Sequence, residues 1–196
     1  MIIRMIKKLF AFIAFVALIY FILMSLQSQR YNMWYPTIQA YPNNAREIGI
    51  MVRDYIPKRT PENIQFFKLT DPSPLEAFRG KLTEEQFRRL KKEVMSPVIV
   101  GKMMYYKKLY NRARPFQVAP QIVDALYSTT ANTPAYPSGH ALQAYYAAKL
   151  LSQWEPEKKK EWEAIAERVA NIRIIAGLHY PSDRDFARRL VDNKII

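Results

Sequence analysis

The sequence predicts an all-α fold: a helical bundle preceded by a single N-terminal transmembrane helix. Three observations carry this expectation. Residues 9–26, "LFAFIAFVALIYFILMSL", contain no charge, and eighteen helical residues reach about 27 Å, close to the thickness of bilayer hydrocarbon. Beyond that run, apolar side chains recur at helical spacing between candidate caps. No stretch alternates apolar and polar residues for long, as a half-buried strand would.

At the N-terminus, Arg4, Lys7 and Lys8 precede the apolar run and only Arg30 lies close behind it. The positive-inside bias puts the N-terminus in the cytoplasm and everything after Leu26 outside the cell or in a lumen. A cleaved signal peptide is the rival reading. The run is long for one, and "MSLQSQ" offers only Ser25 and Ser28 for a cleavage site. The expected organisation is a basic tail (1–8), a membrane anchor (9–26), a linker with Pro36 and Pro42 (27–42) and a helical domain (43–196).

The domain then divides at its punctuation. Asn44 with Glu47 makes a capping-box pattern ahead of Ile48, Met51, Val52 and Tyr55, which share a helical face. Pro57 and Pro61 stop that helix. Ser73, Pro74 and Glu76 open a short helix ending at Gly80. Thr83 and Gln86 cap the next one, with Leu82 and Phe87 as a hydrophobic staple. Ser96-Pro97 starts a helix that can run to about Ala113, before Pro115. A loop rich in Thr and Pro leads to Pro137. Helices follow over 138–154 and 158–176. In the second, Trp162, Ile165, Val169 and Ile172 form an apolar stripe, and Gly177 suits the C-terminal cap.

Composition narrows the function. Thirty Lys and Arg against 17 Asp and Glu give a formal charge of +13, which favours anionic partners: a lipid surface, nucleic acid or phosphorylated substrates. The absence of cysteine removes disulfides, thiolate chemistry and zinc–thiolate sites. No nucleic-acid motif accompanies the aromatic residues, so nucleic acid is not an expected partner. Composition sets no oligomeric state.

Three segments hold polar residues that a simple core or surface does not require. In "KKLYNRARPF", Lys107 and Arg114 are seven apart, two turns of one helix, and two cations on one face can grip a tetrahedral oxyanion. Taken alone, the segment is better explained as a solvated basic face, since Lys108 and Arg112 make the whole region basic. In "YPSGHA", Ser138 is a natural N-cap, Gly139 permits close approach to the backbone, and His140 falls in a first helical turn, where free N–H groups attract anions. An ordinary capped helix with a solvent-facing histidine is the plain alternative. In "RIIAGLHYPSD", Arg173 closes a helix, His179 lies past its glycine stop, and Asp183 follows four later. A carboxylate there can fix the imidazole tautomer and leave Nε2 as a nucleophile, or form a purely structural pair.

Together these segments resemble the type 2 phosphatidic acid phosphatase superfamily, which includes bacterial acid phosphatases and vanadium haloperoxidases. Its three motifs, K-x-x-x-x-x-x-R-P, P-S-G-H and S-R-x-x-x-x-x-H-x-x-x-D, appear in order at Lys107 to Pro115, Pro137 to His140 and Arg173 to Asp183, and both histidines of the chain fall on motif positions. Residues 1 to about 100 carry no such resemblance. Ile172 stands where the family has serine. Either the phosphate site is one hydrogen bond short, or Ile172 belongs to the apolar stripe. Many lipid-phosphate members thread six membrane helices, whereas this chain offers one span and looks more like the acid-phosphatase branch on a tether.

The resemblance implies a phosphatase acting on phosphomonoesters or diphosphates, lipid phosphates among them, with neither metal nor cofactor and with vanadate as inhibitor or phosphate mimic. In that scheme His179 attacks phosphorus and Asp183 orients it. His140 protonates the leaving oxygen and then activates water. Lys107, Arg114 and Arg173 neutralise the phosphoryl oxygens, helped by Ser138 and the Gly139 N–H. The alternatives are a vanadate-dependent haloperoxidase and a non-enzymatic binder of anionic lipid or nucleic acid.

Overall fold

The structure is a computed structural model that describes residues 2–27, 30–32 and 39–196. Every regular element among the described residues is helical. Helix α1 (Ile2–Gln27) contains the apolar run. Its side chains are described for residues 6–19, where Leu9, Phe10, Phe12 and Phe15 are exposed. Among the described residues no helix is long and apolar enough to cross a membrane. The side chains of residues 20–26 of the expected anchor lie outside that description, as do residues 28, 29 and 33–38 of the expected linker. Residues 30–32 of that linker are held against the later chain. Tyr31 N–H donates to the Asn111 carbonyl at 3.0 Å, and the Asn111 side chain bonds both backbone groups of Asn32.

The remaining α-helices among the described residues are α2 (Asn44–Ile50), α3 (Pro61–Thr70), α4 (Glu76–Arg79), α5 (Glu84–Val94), α6 (Pro97–Tyr110), α7 (Pro115–Val118), α8 (Gly139–Trp154), α9 (Lys159–Ile175) and α10 (Pro181–Asp192). Helices α8 and α9 are the central pair; α10 and α5 pack on α8, and α3 and α4 on α9. Alanines permit the close approach. Ala141, Ala144, Ala147 and Ala148 of α8 and Ala166 and Ala170 of α9 are all buried in one cluster, with Trp162 and Leu151 filling the space around them. The α5 cap forms as its sequence predicts: Thr83 Oγ1 accepts from Gln86 N–H, and the Gln86 side chain accepts from Thr83 N–H. Phe87 and Leu82 meet in the same core cluster.

Several expectations are corrected. The N-cap of α2 is Asn43, whose Oδ1 accepts from Arg46 N–H; the Glu47 side chain does not cap α2 but bonds Ser182 and Arg112. Val52 is exposed although Ile48 and Met51 are buried, because the chain widens into a π-turn over Met51–Tyr55 and shifts the face. Helix α3, capped by Thr60 and started by Pro61, lies where Pro61 reads as a stop. Helix α6 ends at Tyr110, because Asn111 adopts the left-handed conformation (φ 42°). The expected apolar stripe of α9 divides. Trp162 and Val169 join the main core, and Ile172 joins a separate cluster with Phe67, Ile175, Ala176 and Leu178.

Candidate active site

A cavity of about 430 Å³ opens among α6, α8, α9 and the loops after α3 and α7, lined by Lys107, Arg114, Gly139, His140, Arg173 and His179. Six of the eight residues expected from the sequence therefore meet at one space. Ser138 and Asp183 stand directly behind it, both fully buried.

Lys107 and Arg114 reach the cavity by a route the sequence does not suggest. The break at Asn111 prevents them from sharing a helix face; Arg114 instead leads into α7. Backbone carbonyls of the loop before α8 hold both cations. Lys107 Nζ donates to Pro134 O, and Arg114 Nε to Thr133 O at 2.9 Å. Arg114 Nη1 also donates to Leu178 O at 3.0 Å. Arg173 in the last turn of α9 donates from Nη1 to Asp71 Oδ1 at 2.7 Å, while its buried Nε has no hydrogen-bond partner among the described residues.

Burial opposes charge on all three. It pushes Arg114 down to about 10, with Arg173 adding to the effect. It lowers Lys107 strongly, with Arg114 next, and it lowers Arg173 against the pull of Asp71. A cluster of buried cations facing an open cavity is a site for an anion, which removes their mutual repulsion on binding.

Ser138 caps α8, its Oγ accepting from Ala141 N–H at 3.4 Å. A side chain at Gly139 would place Cβ 2.9 Å from Met103 Sδ and 3.6 Å from Lys107 Cε, so glycine keeps the first turn of α8 open towards the cations. His140 follows. Its Nε2 lies 2.9 Å from the Asp71 carbonyl. A carbonyl only accepts, so Nε2 carries the hydrogen and Nδ1 is left for exchange. Burial and then Arg173 push His140 down to about 3.

His179 sits between α9 and α10. Gly177 makes the turn with φ +78°, where a Cβ would lie 3.2 Å from the Ala125 backbone. The His179 ring is fixed from both sides. Nδ1 lies 3.0 Å from Asp183 Oδ2, and Nε2 lies 3.1 Å from Arg114 Nη1. Arginine only donates, so Nε2 presents a lone pair and Nδ1–H points at the carboxylate. Burial and the cations Arg114, Lys107 and Arg173 hold His179 well below the ordinary histidine range. The neutral ring, with Nε2 beside the cations, has the form of a nucleophile.

Sequence reasoning missed two groups. Asp71, in the loop after α3, binds Arg173 by its carboxylate and His140 by its carbonyl, and accepts from Ser128 at 2.6 Å. Nothing in "LTDPSP" announces this, because the contact spans 102 positions. Arg112, read as part of a generally basic region, is fully buried and bonds Asp183 Oδ1 at 2.7 Å. Among the described residues no three His, Asp or Glu side chains gather as a metal-binding group.

Residues 94–185 match the family model of the PAP2 superfamily. Through this segment, a little under half of its length, the chain is similar to that superfamily. Over 84 residues it is 33% identical to a non-specific acid phosphatase of Salmonella typhi and 32% identical to one of Salmonella typhimurium. Each alignment covers 42% of this chain and 34% of the relative, so the chain matches about a third of the length of these curated relatives. The PAP2 segment contains all eight expected site residues; Glu47 and Asp71 lie outside it.

Proposed function

We propose that the protein is a membrane-anchored phosphatase that hydrolyses phosphomonoesters or diphosphates through a phosphohistidine at His179. The observation that carries the reading is the Nε2 lone pair of His179, backed by Asp183 and set among three buried cations. Similarity of residues 94–185 to the PAP2 superfamily and to a non-specific acid phosphatase supports the reaction class.

The chemistry divides into two displacements. The Nε2 lone pair forms a P–N bond as the P–O ester bond breaks, and the leaving oxygen takes a proton from His140. A water then attacks phosphorus and gives a proton to His140, the P–N bond breaks, and phosphate departs. Lys107, Arg114 and Arg173 carry the charge of the phosphoryl oxygens throughout, with Ser138 and the Gly139 N–H behind them. Positioning and charge stabilisation are most of what phosphoryl transfer requires. A bound phosphate dianion also raises the proton affinity of His140, which the empty site suppresses. The scheme needs no metal and no cofactor.

Met95, Met103, Met104, Pro72 and Pro74 also line the cavity, with Lys91, so an apolar alcohol, including that of a lipid phosphate, fits next to the phosphate site. The uncharged run at 9–26 supports anchoring, with the N-terminus cytoplasmic and the phosphatase outside or lumenal. The test is a screen of lipid phosphates, isoprenoid diphosphates and soluble monoesters with and without EDTA and vanadate. Turnover that survives EDTA and is inhibited by vanadate supports the reading. Loss in EDTA, restored by a divalent ion, contradicts it.

A further inference from the structure

Glu47 and Arg112 take no part in these steps, yet both are buried charged groups placed behind the nucleophile. Arg112 Nη1 donates to Asp183 Oδ1 and to Ser182 Oγ, each at 2.7 Å. Its Nη2 donates to Glu47 Oε1 at 3.1 Å and to the Pro42 carbonyl at 3.2 Å, and its Nε to Asn44 Oδ1 at 2.8 Å. The Tyr180 ring lies 3.7 Å from the guanidinium carbon. Glu47 ties itself to the same turn of α10: Ser182 N–H donates to Oε2 at 2.9 Å and Ser182 Oγ–H to Oε1 at 2.6 Å. One arginine thus joins two carboxylates, of which Asp183 holds His179 Nδ1. Apolar side chains would join α2 to α10 without the cost of desolvating three charges.

We propose that Glu47 and Arg112 are positioning residues that set, through Asp183, the proton affinity and nucleophilicity of His179 Nε2. The inference rests on the reading of His179 as nucleophile. Charge alternates along Glu47, Arg112, Asp183 and the His179 ring, and the first three sum to −1. Opposite them, His179 faces Lys107 of α6, Arg114 at the start of α7, His140 of α8 and Arg173 of α9. Arg112 itself faces Tyr41, Tyr136 and Tyr180 besides the two carboxylates. By occupying Oδ1, Arg112 fixes the Asp183 plane so that Oδ2 receives both His179 Nδ1–H and Tyr180 N–H. Burial raises Asp183, and Arg112 is the first force against it. Glu47 limits how much carboxylate charge Arg112 withdraws from the histidine. Helix α2, which supplies Glu47, lies outside the PAP2 segment.

The experiment uses the fact that the chain has two histidines, so imidazole nitrogen NMR on the full-length protein resolves both rings without turnover. Glu47→Gln keeps the shape and removes a negative charge. It lowers the His179 pKa and moves the acid limb of kcat/KM to lower pH, by about one unit or tenfold in proton binding, with KM unchanged. Arg112→Gln removes a positive charge and moves both in the opposite direction; Arg112→Lys returns part of the shift. Ser182→Ala keeps every charge and shifts neither. Opposite shifts in the two charge variants support the relay, because loss of packing moves both alike or moves neither. If one variant fails to fold, the direction of the other's shift decides: down for Glu47→Gln or up for Arg112→Gln supports the relay, and the reverse direction overturns it. An unshifted His179 ring in a folded variant overturns the inference. Turnover by His179→Ala would instead defeat the reading of the site, so the two failures are distinguishable.

Discussion

Ile172 precedes Arg173 where the motif has serine, and its surroundings decide between the two readings left by the sequence. The side chain is 2% exposed among Phe67, Ile175, Ala176 and Leu178, and it does not line the cavity. Ile172→Ser therefore removes buried apolar volume and adds a hydroxyl without a built partner. The expected loss is about 2–5 kcal/mol of stability, read as a lower melting temperature with unchanged KM. A lower KM at unchanged melting temperature would place the hydroxyl on the phosphate instead. At this scale the sequence reveals residue types but not their surroundings. Arg112 and Arg114 look alike in "NRARPF". One turns back to two carboxylates while the other lines the cavity, because the left-handed Asn111 between α6 and Arg112 redirects the chain. Asp71 was hidden for a different reason: its partners come from distant parts of the chain.

The α9–turn–α10 unit places His179 and Asp183. Gly177 accepts the positive φ, Leu178 O receives Arg114, and Pro181 starts α10 so that Asp183 falls in its first turn. Helix α10 does not follow from an apolar stripe, because its first turn, Pro181 to Arg184, is entirely proline and polar residues. Its signal was Pro181 at the first helical position with Asp183 two residues later. Helix α3 announced itself in the same way through Thr60-Pro61, and in both cases a proline that begins a helix resembles one that ends it. By contrast α5 and α8 were legible because their caps lie within four residues of what they bond. Gly177→Ala tests the unit. The backbone conformation alone costs about 1–2 kcal/mol, and the methyl group would also meet Arg59 Nη2 at 2.9 Å and Val123 Cγ1 at 3.1 Å. Melting temperature and kcat should fall together. A fall in stability with full kcat would show that the turn supports the fold but not the site.

For the whole molecule, the fold class was readable from helical spacing and caps, while the packing of α8, α9 and α10 around two histidines was not. That packing has a consequence for pH. His140 and His179 are held neutral in the fold, by burial first and then by neighbouring cations, and unfolding releases them to about 6.5. The unfolded chain therefore binds more protons as pH falls below about 6.5, and stability drops until the native rings titrate, at about 3 for His140. Each histidine contributes at most about 1.4 kcal/mol per pH unit in that window. Asp183, raised by burial, acts in the opposite sense, its contribution being lost as pH rises. Thermal melts from pH 8 to pH 4 should show falling stability in the ligand-free protein, with a shallower fall in His140→Asn. Equal slopes would mean that His140 is not held neutral.

The central claim is that His179 takes the phosphoryl group while His140 handles the proton. Removing His140 leaves the first displacement possible for a nitrophenyl ester, whose leaving group needs little protonation, but slows attack by water. Rapid-quench trapping of phosphate on His140→Ala during nitrophenyl phosphate turnover, followed by mapping of the labelled residue, is the direct measurement. The account predicts phosphate on His179. Phosphate on any other residue, or an active His179→Ala variant, would contradict it.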